Sequence, residues 1–303
     1  MKHYVVKIYK SINRINIDNL NTLEIGGRIG FLKNIILTNS RFFKKDEGSW
    51  YLNFFCSSTY EQQIIVKMIE VPNSLSKEEL QRTIDSEKLD YKKYDELSTL
   101  SCILQDCEMN SDIAEKLSLS IRGSKSIKCN DFTENPSHYN HIDGRGLSFF
   151  SRIANQEDNF KRQIILVSLA YAYLGAIEDI RTQLAEKVSD KVNDKIDDIN
   201  ELRDLYIKAA KFNSTLFFQQ PVLIKNSSLT EIWKKIDRAL DVNTSSRELL
   251  EQLANVHDIL NLDNDKKRQE QEKKEEKCQY YWNLWFSALG LIISILGSFE
   301  LLK

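Results

Sequence analysis

Few side chains in this sequence have the type and spacing to do chemistry. His138 and His141 stand in "NPSHYNHIDGRG", with Asp143 just behind them. Two imidazoles and a carboxylate in so short a stretch form the beginning of a metal site. No Glu base and no third ligand at a fixed spacing accompany them, so the stretch is expected to be a loop carrying ordinary histidines. His138 and His141 are therefore only weak metal candidates, and no catalytic residue, cofactor or metal is expected. "GGRIG" over 26–30 lacks the full glycine fingerprint of a dinucleotide site and is expected to be a turn. Neither a GxSxG elbow nor a phosphate-binding GKS or GKT run occurs. Cys102 paired with some His is a nucleophile only on paper.

The other chemistry on offer is that of a lipid interface. Residues 278–299, "CQYYWNLWFSALGLIISILGSF", carry no charge. As a helix at ~1.5 Å per residue they would cover about 33 Å, enough for a ~30 Å hydrocarbon core. Tyr280, Tyr281, Trp282 and Trp285 crowd one end, where aromatic rings prefer the membrane–water boundary. Asn283, Ser287, Gly290, Ser294 and Gly297 recur at steps of four and three, so they share one helical face. In lipid, small residues let backbones approach, and Asn or Ser can bond across the contact. That face is expected to pack against other copies or to line a narrow polar path.

Lys266, Lys267, Arg268, Lys273, Lys274 and Lys277 precede the span, and Lys303 follows it. Basic flanks stay on the cytoplasmic side. The expectation is a tail-anchored, single-pass protein of the inner (cytoplasmic) membrane, with its N-terminus in the cytoplasm. Membrane lipid is then a partner, a homo-oligomer is expected, and a protein or small-molecule trigger could act on the cytoplasmic part. With 42 Lys and Arg against 44 Asp and Glu, the net charge is −2, and no nucleic-acid partner is expected. Five cysteines without CxxC spacing fit a reducing compartment. The start, "MKHYVVKIYKSINR", has no unbroken apolar segment of the signal-peptide kind.

The elements that would hold these residues divide near position 150. Residues 1–150 show short period-two runs at 3–9, 34–38, 50–56, 63–71 and 117–122, with a turn at 44–49 where Gly48 could take a positive φ. They read as a cytoplasmic α+β domain. Beyond 150 the period becomes 3.6. Ile177, Ile180, Leu184, Val188, Val192, Ile196, Ile199, Leu202 and Tyr206 mark one very long helix, or two with a kink near Ser189. Capping boxes at Ser228/Glu231 and Ser245/Glu248 announce two further helices. The second carries Leu249, Leu253, Val256 and Leu260 at heptad-like spacing. The expected organisation is a long-helix stalk over 151–262, a charged helical linker over 263–277 and a transmembrane helix over 278–300. Residues 163–177 are also uncharged, but they are short for a span and expected to be a buried helix.

The stalk and span over 157–299 resemble, in architecture, the CorA-like cation transporter superfamily. There an α/β cytoplasmic domain leads into long helices, one of which enters the membrane. The family's Gly-Met-Asn motif is absent and one span stands where the family has two, so the resemblance implies a funnel-like homo-oligomer of stalk helices rather than metal transport. Three function classes follow. The first is an oligomeric membrane-acting effector, pore-forming or ion-conducting, of bacterial stress or anti-phage defence. The second is a membrane-tethered scaffold, and the third a membrane-anchored enzyme using His138 and His141.

Overall fold

A computed structural model describes residues 2–13, 19–56, 58–72, 77–86, 89–90, 92–105, 107–192 and 198–300; for 77, 189–192, 198–199 and 291–300 the description covers the backbone only. The fold is α+β, an N-terminal sheet followed by long helices. The strands are β1 Lys2–Ser11, β2 Asn21–Thr22, β3 Ser40–Asp46, β4 Ser49–Phe54, β5 Gln62–Val71, β6 Tyr94–Leu104, β7 Thr133–Glu134, β8 His138–Asp143 and β9 Gly146–Ser151. They form one sheet in the order β2-β3-β4-β5-β1-β6-β9-β8-β7. Among the described residues, only β6 and β9 pair in parallel. The helices are α1 Asn34–Thr38, α2 Lys77–Ser86, α3 Ser111–Arg122, α4 Glu157–Val192, α5 Asp198–Thr215, α6 Ser227–Leu240 and α7 Val242–Glu300.

Both faces of the sheet are covered. Tyr4, Val6 and Ile8 join Leu52, Phe54, Leu100 and Phe149 under α4, while Val5 packs with Val71, Leu80 and Ile84 beneath α2. Double coverage explains why β1 reads as a nearly continuous apolar run. It also hides β6, where Ser98, Thr99 and Ser101 are buried beside Leu100, Cys102 and Ile103. Such a strand shows no alternation of polar and apolar residues.

Several expected elements are corrected. The run at 34–38 is the short helix α1, with only Ile36 buried. Residues 117–122 end α3, whose buried Ile113, Ala114, Leu117 and Ser118 follow a helical step. Asn110 caps that helix by accepting from the Ile113 N–H at 3.0 Å, and Gly123 closes it at φ 63. The turn between β3 and β4 is present, but Gly48 does not take a positive φ. Glycine is needed there because a Cβ would lie 2.6 Å from the Met68 carbonyl oxygen. The helices that the capping boxes announced are present, but their starts are shifted: Ser228 is the second residue of α6, which Asn226 precedes, and Ser245 is the fourth residue of α7.

The 3.6-residue stripe belongs to two helices that fold back on each other. The Lys187–Glu201 ion pair and the Tyr173 hydroxyl donating to the Leu216 carbonyl at 3.1 Å lie at opposite ends of the α4–α5 hairpin. Ile196 lies outside the described residues, as do the side chains of Val192 and Ile199. Ile177, Ile180, Leu184 and Leu202 are buried, as are Leu249, Leu253, Val256 and Leu260 of α7. These last four residues therefore form no free heptad seam, because α4 and α5 of the same chain already cover them. One apolar cluster runs from Tyr4 to Leu260. The change near residue 150 is thus a change of element type and not a break in packing.

Candidate functional site

Residues 157–188 are long and apolar enough to cross a bilayer by length and composition, and 72% of their most apolar window is buried. Leu166, Leu169, Ala170, Ala172 and Tyr173 have no exposed surface at all. The uncharged stretch at 163–177 is therefore the central core helix, in line with its short length.

The distal part of α7 is the opposite case. Beyond Asp263 every residue from 264 to 290 is exposed. At ~1.5 Å per residue this arm is about 40 Å long. Its charged first part is supported along the helix by Lys267 with Asp263 and by Arg268 with Glu272, each at 3.1 Å. Such exposed pairs contribute only a few tenths of a kcal/mol apiece. Its base is fixed more firmly: Tyr206 stacks on His257 at 5.8 Å, and Arg203 donates to Asn264 at 3.0 Å.

The arm then turns apolar without acquiring any cover. Tyr280, Tyr281, Trp282, Leu284, Trp285 and Phe286 each expose more than half of their surface. Cys278, Tyr281, Trp282 and Trp285 line one shared surface. At 100° per residue, Asn283, Ser287 and Gly290 fall within roughly 60° of one another on the opposite side. A Cβ at Gly290 would meet nothing within 4 Å. Ser294 and Gly297 continue the helical spacing, and their side chains lie outside the described residues. One helix thus presents a broad aromatic surface and a narrow small-residue surface back to back.

The histidine stretch is not a loop. His138 and His141 are the first and fourth residues of strand β8, so their side chains point to opposite faces of the sheet. On the α4 face, buried His138 has its Nε2 3.2 Å from Gln163 Nε2 and its ring stacked on Phe149. Burial pushes its pKa down to about 4. On the α3 face, His141 holds the Asp131 carbonyl at 3.0 Å and Asp143 at 3.1 Å. The hydrogen bond to Asp143 raises its pKa, and Arg122 also donates to that carboxylate. The two rings cannot share a metal ion. Among the described residues, no three His, Cys, Asp or Glu side chains gather as a metal site. Cys102 is wholly buried, and burial pushes its thiol well above the ordinary value, which is the reverse of an activated nucleophile.

Sequence reasoning missed a second buried imidazole. His3 on β1 sits between the hydroxyls of Ser101 and Ser120, at 3.3 and 3.1 Å. Burial lowers its pKa to about 4. The run "HYVVKIY" carried the signal, since a polar residue opening a strand buried on both faces needs buried partners.

No family model, curated protein or solved structure matches this chain.

Proposed function

We propose that this chain is an oligomeric membrane protein in which a cytoplasmic α+β body controls a membrane-inserted helix over 278–300. One observation carries the reading: the large apolar side chains at 280–286 each expose more than half of their surface on an arm that the body does not cover. Leaving six large apolar side chains in water costs on the order of 1.5–3 kcal/mol each, and a bilayer removes that cost. The basic residues from Lys266 to Lys277 favour a body on the cytoplasmic side of the inner membrane. The continuity of α7 from the packed part at Val242 into the arm supports a mechanical link between body and membrane. In this reading a signal reaching the body changes how the inserted helices pack or open, as in a membrane-acting effector of stress or anti-phage defence. The CorA-like likeness is retained as a proposal for the arrangement, with stalks side by side around a shared axis.

The test is to replace Ser287 and Gly290 with Leu, which adds bulk to the small-residue face at constant length. The variant is expected to reach the membrane, to lose its oligomer in mild detergent and to lose conductance in bilayers. Leu284→Ala with Leu289→Ala, off that face, is the control. Equal behaviour of the two pairs, or a monomeric wild-type protein, would replace the effector by a tethered scaffold. The burial of Leu249, Leu253, Val256 and Leu260 inside the protomer favours that second reading, since it leaves the small-residue face as the only motive for association named so far.

A further inference from the structure

A cavity of about 330 Å³ opens between α1, the β4–β5 loop and α5. Its chemistry is uneven. Phe212 and Leu216, both buried, form an apolar floor. Lys208 and Lys211 stand at its rim on the same face of α5 as Phe212, and both are exposed. Ser58 and Thr59 face them from the β4–β5 loop. No lining residue is acidic. Among the described residues no ion pair involves Lys208 or Lys211. Two ammonium groups side by side without a carboxylate repel each other, and an anion seated between them would relieve that repulsion.

The floor is held in place from behind. Phe55, which follows β4, adopts φ 61, a conformation rare for a bulky residue. Its ring packs edge-on against Phe212 at 5.2 Å and is stacked on Tyr173 at 5.3 Å. Ser58 accepts a hydrogen bond from the Tyr60 N–H at 3.0 Å, which fixes the loop and leaves the hydroxyl hydrogen to point elsewhere. The result is a preformed hollow with a fixed apolar floor, a cationic rim and hydroxyl groups opposite. Pockets of this volume and composition suit small organic ligands.

We propose that this cavity binds a small phosphomonoester, the phosphate between Lys208 and Lys211 and its apolar body against Ile35 and Leu216. Lysine serves a phosphate dianion as a compact charge, and hydroxyl donors complete its coordination. The site touches both halves of the chain, since Ser58 and Thr59 belong to the sheet half while α5 braces α7 through Tyr206 and Arg203. Occupancy would therefore be felt at the base of the arm. The binding itself does not depend on the membrane reading and can fail or hold separately from it.

The experiment is calorimetric titration of the full chain in mild detergent with three probes: adenosine monophosphate, adenosine and inorganic phosphate. The monophosphate is expected to bind with Kd below about 1 mM, and the two fragments at least tenfold more weakly. Lys208→Ala with Lys211→Ala should weaken monophosphate binding at least tenfold without moving the melting temperature, because both side chains are exposed. Ile35→Trp, which crowds the cavity mouth with the lysines intact, should also reduce binding. Lys225→Ala with Lys234→Ala, away from the cavity, should not. The proposal is overturned if the monophosphate binds no better than either fragment, if it fails to bind at that concentration, or if the Lys208/Lys211 variant binds as the wild type does.

Discussion

Residues 163–177 and residues 278–290 are written in nearly the same alphabet: both are uncharged and rich in aliphatic and aromatic side chains. In α4 those side chains lie against the sheet, α5, α6 and α7, and most have no exposed surface. In distal α7 the corresponding side chains meet only one another, as where Trp282 stacks on Phe286 at 5.7 Å, and stay exposed. Apolar composition alone therefore does not say whether a helix belongs to a core or to a bilayer. The neighbours decide. α4 is preceded by a sheet whose buried face must be covered, whereas distal α7 is separated from every apolar surface of the body by a charged arm.

The largest effect should come from placing one charge in each helix. Leu166→Asp puts a carboxylate in a site with no exposed surface and no partner. Its cost is expected to exceed about 4 kcal/mol, enough to abolish cooperative melting. Leu289→Asp in α7 should leave the melting of the body unchanged and reduce membrane partition. If Leu166→Asp melts like the wild type, α4 is not the core helix and the comparison collapses. A deletion of residues 279–303 sharpens it from the other side. The shortened protein should move to the soluble fraction with its melting temperature preserved. Retention in carbonate-washed membranes would turn attention back to α4.

How much of this was legible in the sequence varies by element. The long helices, the exposed aromatic end and the strands at 3–9, 50–56 and 63–71 follow from periodicity. β6, β8 and β9 were missed because both their faces are buried or because they carry polar residues such as His138, Asn140 and Ser148 in buried positions. No period-two pattern survives that. The reading of 117–122 as a strand came from a window that began after Ile113 and Ala114, the residues that reveal the helical step. The heptad-like spacing in α7 pointed to a coil between copies, whereas Leu249, Leu253, Val256 and Leu260 are buried inside the protomer. Spacing could not distinguish a partner in the same chain from one in another copy.

Acid should separate the same two regions at a smaller scale. His3 and His138 have pKa values lowered by burial to about 4, against an ordinary value near 6.5. The unfolded chain takes up their protons as pH falls below 6.5, and the folded chain does not until about 4. Stability should fall across that window, by on the order of 1–2 kcal/mol for each group between pH 7 and pH 5. His141 acts in the opposite sense: its raised pKa adds stability that is complete at low pH and lost as pH rises through the folded value. Urea titrations at the two pH values should show a net loss for the wild type and a smaller one for His138→Gln. The proposed membrane attachment through α7, which has no part in either network, should not change between them. A pH-independent midpoint would mean that the buried imidazoles are not kept neutral.

The smallest expected effect tests the arm most closely, because its sign depends on what α7 meets. Gly290 is exposed, and a Cβ added there has nothing within 4 Å in the protomer. In an isolated helix, Gly→Ala is favourable by up to about 1 kcal/mol, since alanine loses less backbone freedom. If two copies approach backbone to backbone at this face, the same methyl group must push them apart. Gly290→Ala is therefore expected to leave insertion intact and to weaken the oligomer by about 1 kcal/mol, measured as a shift in the detergent dilution at which it dissociates. Ser287→Ala, one turn earlier and similar in size, should change it less. A Gly290→Ala oligomer as stable as the wild type, or more stable, would show that the helices do not meet at Gly290, and on the proposed membrane reading lipid alone would then cover distal α7 as protein covers α4.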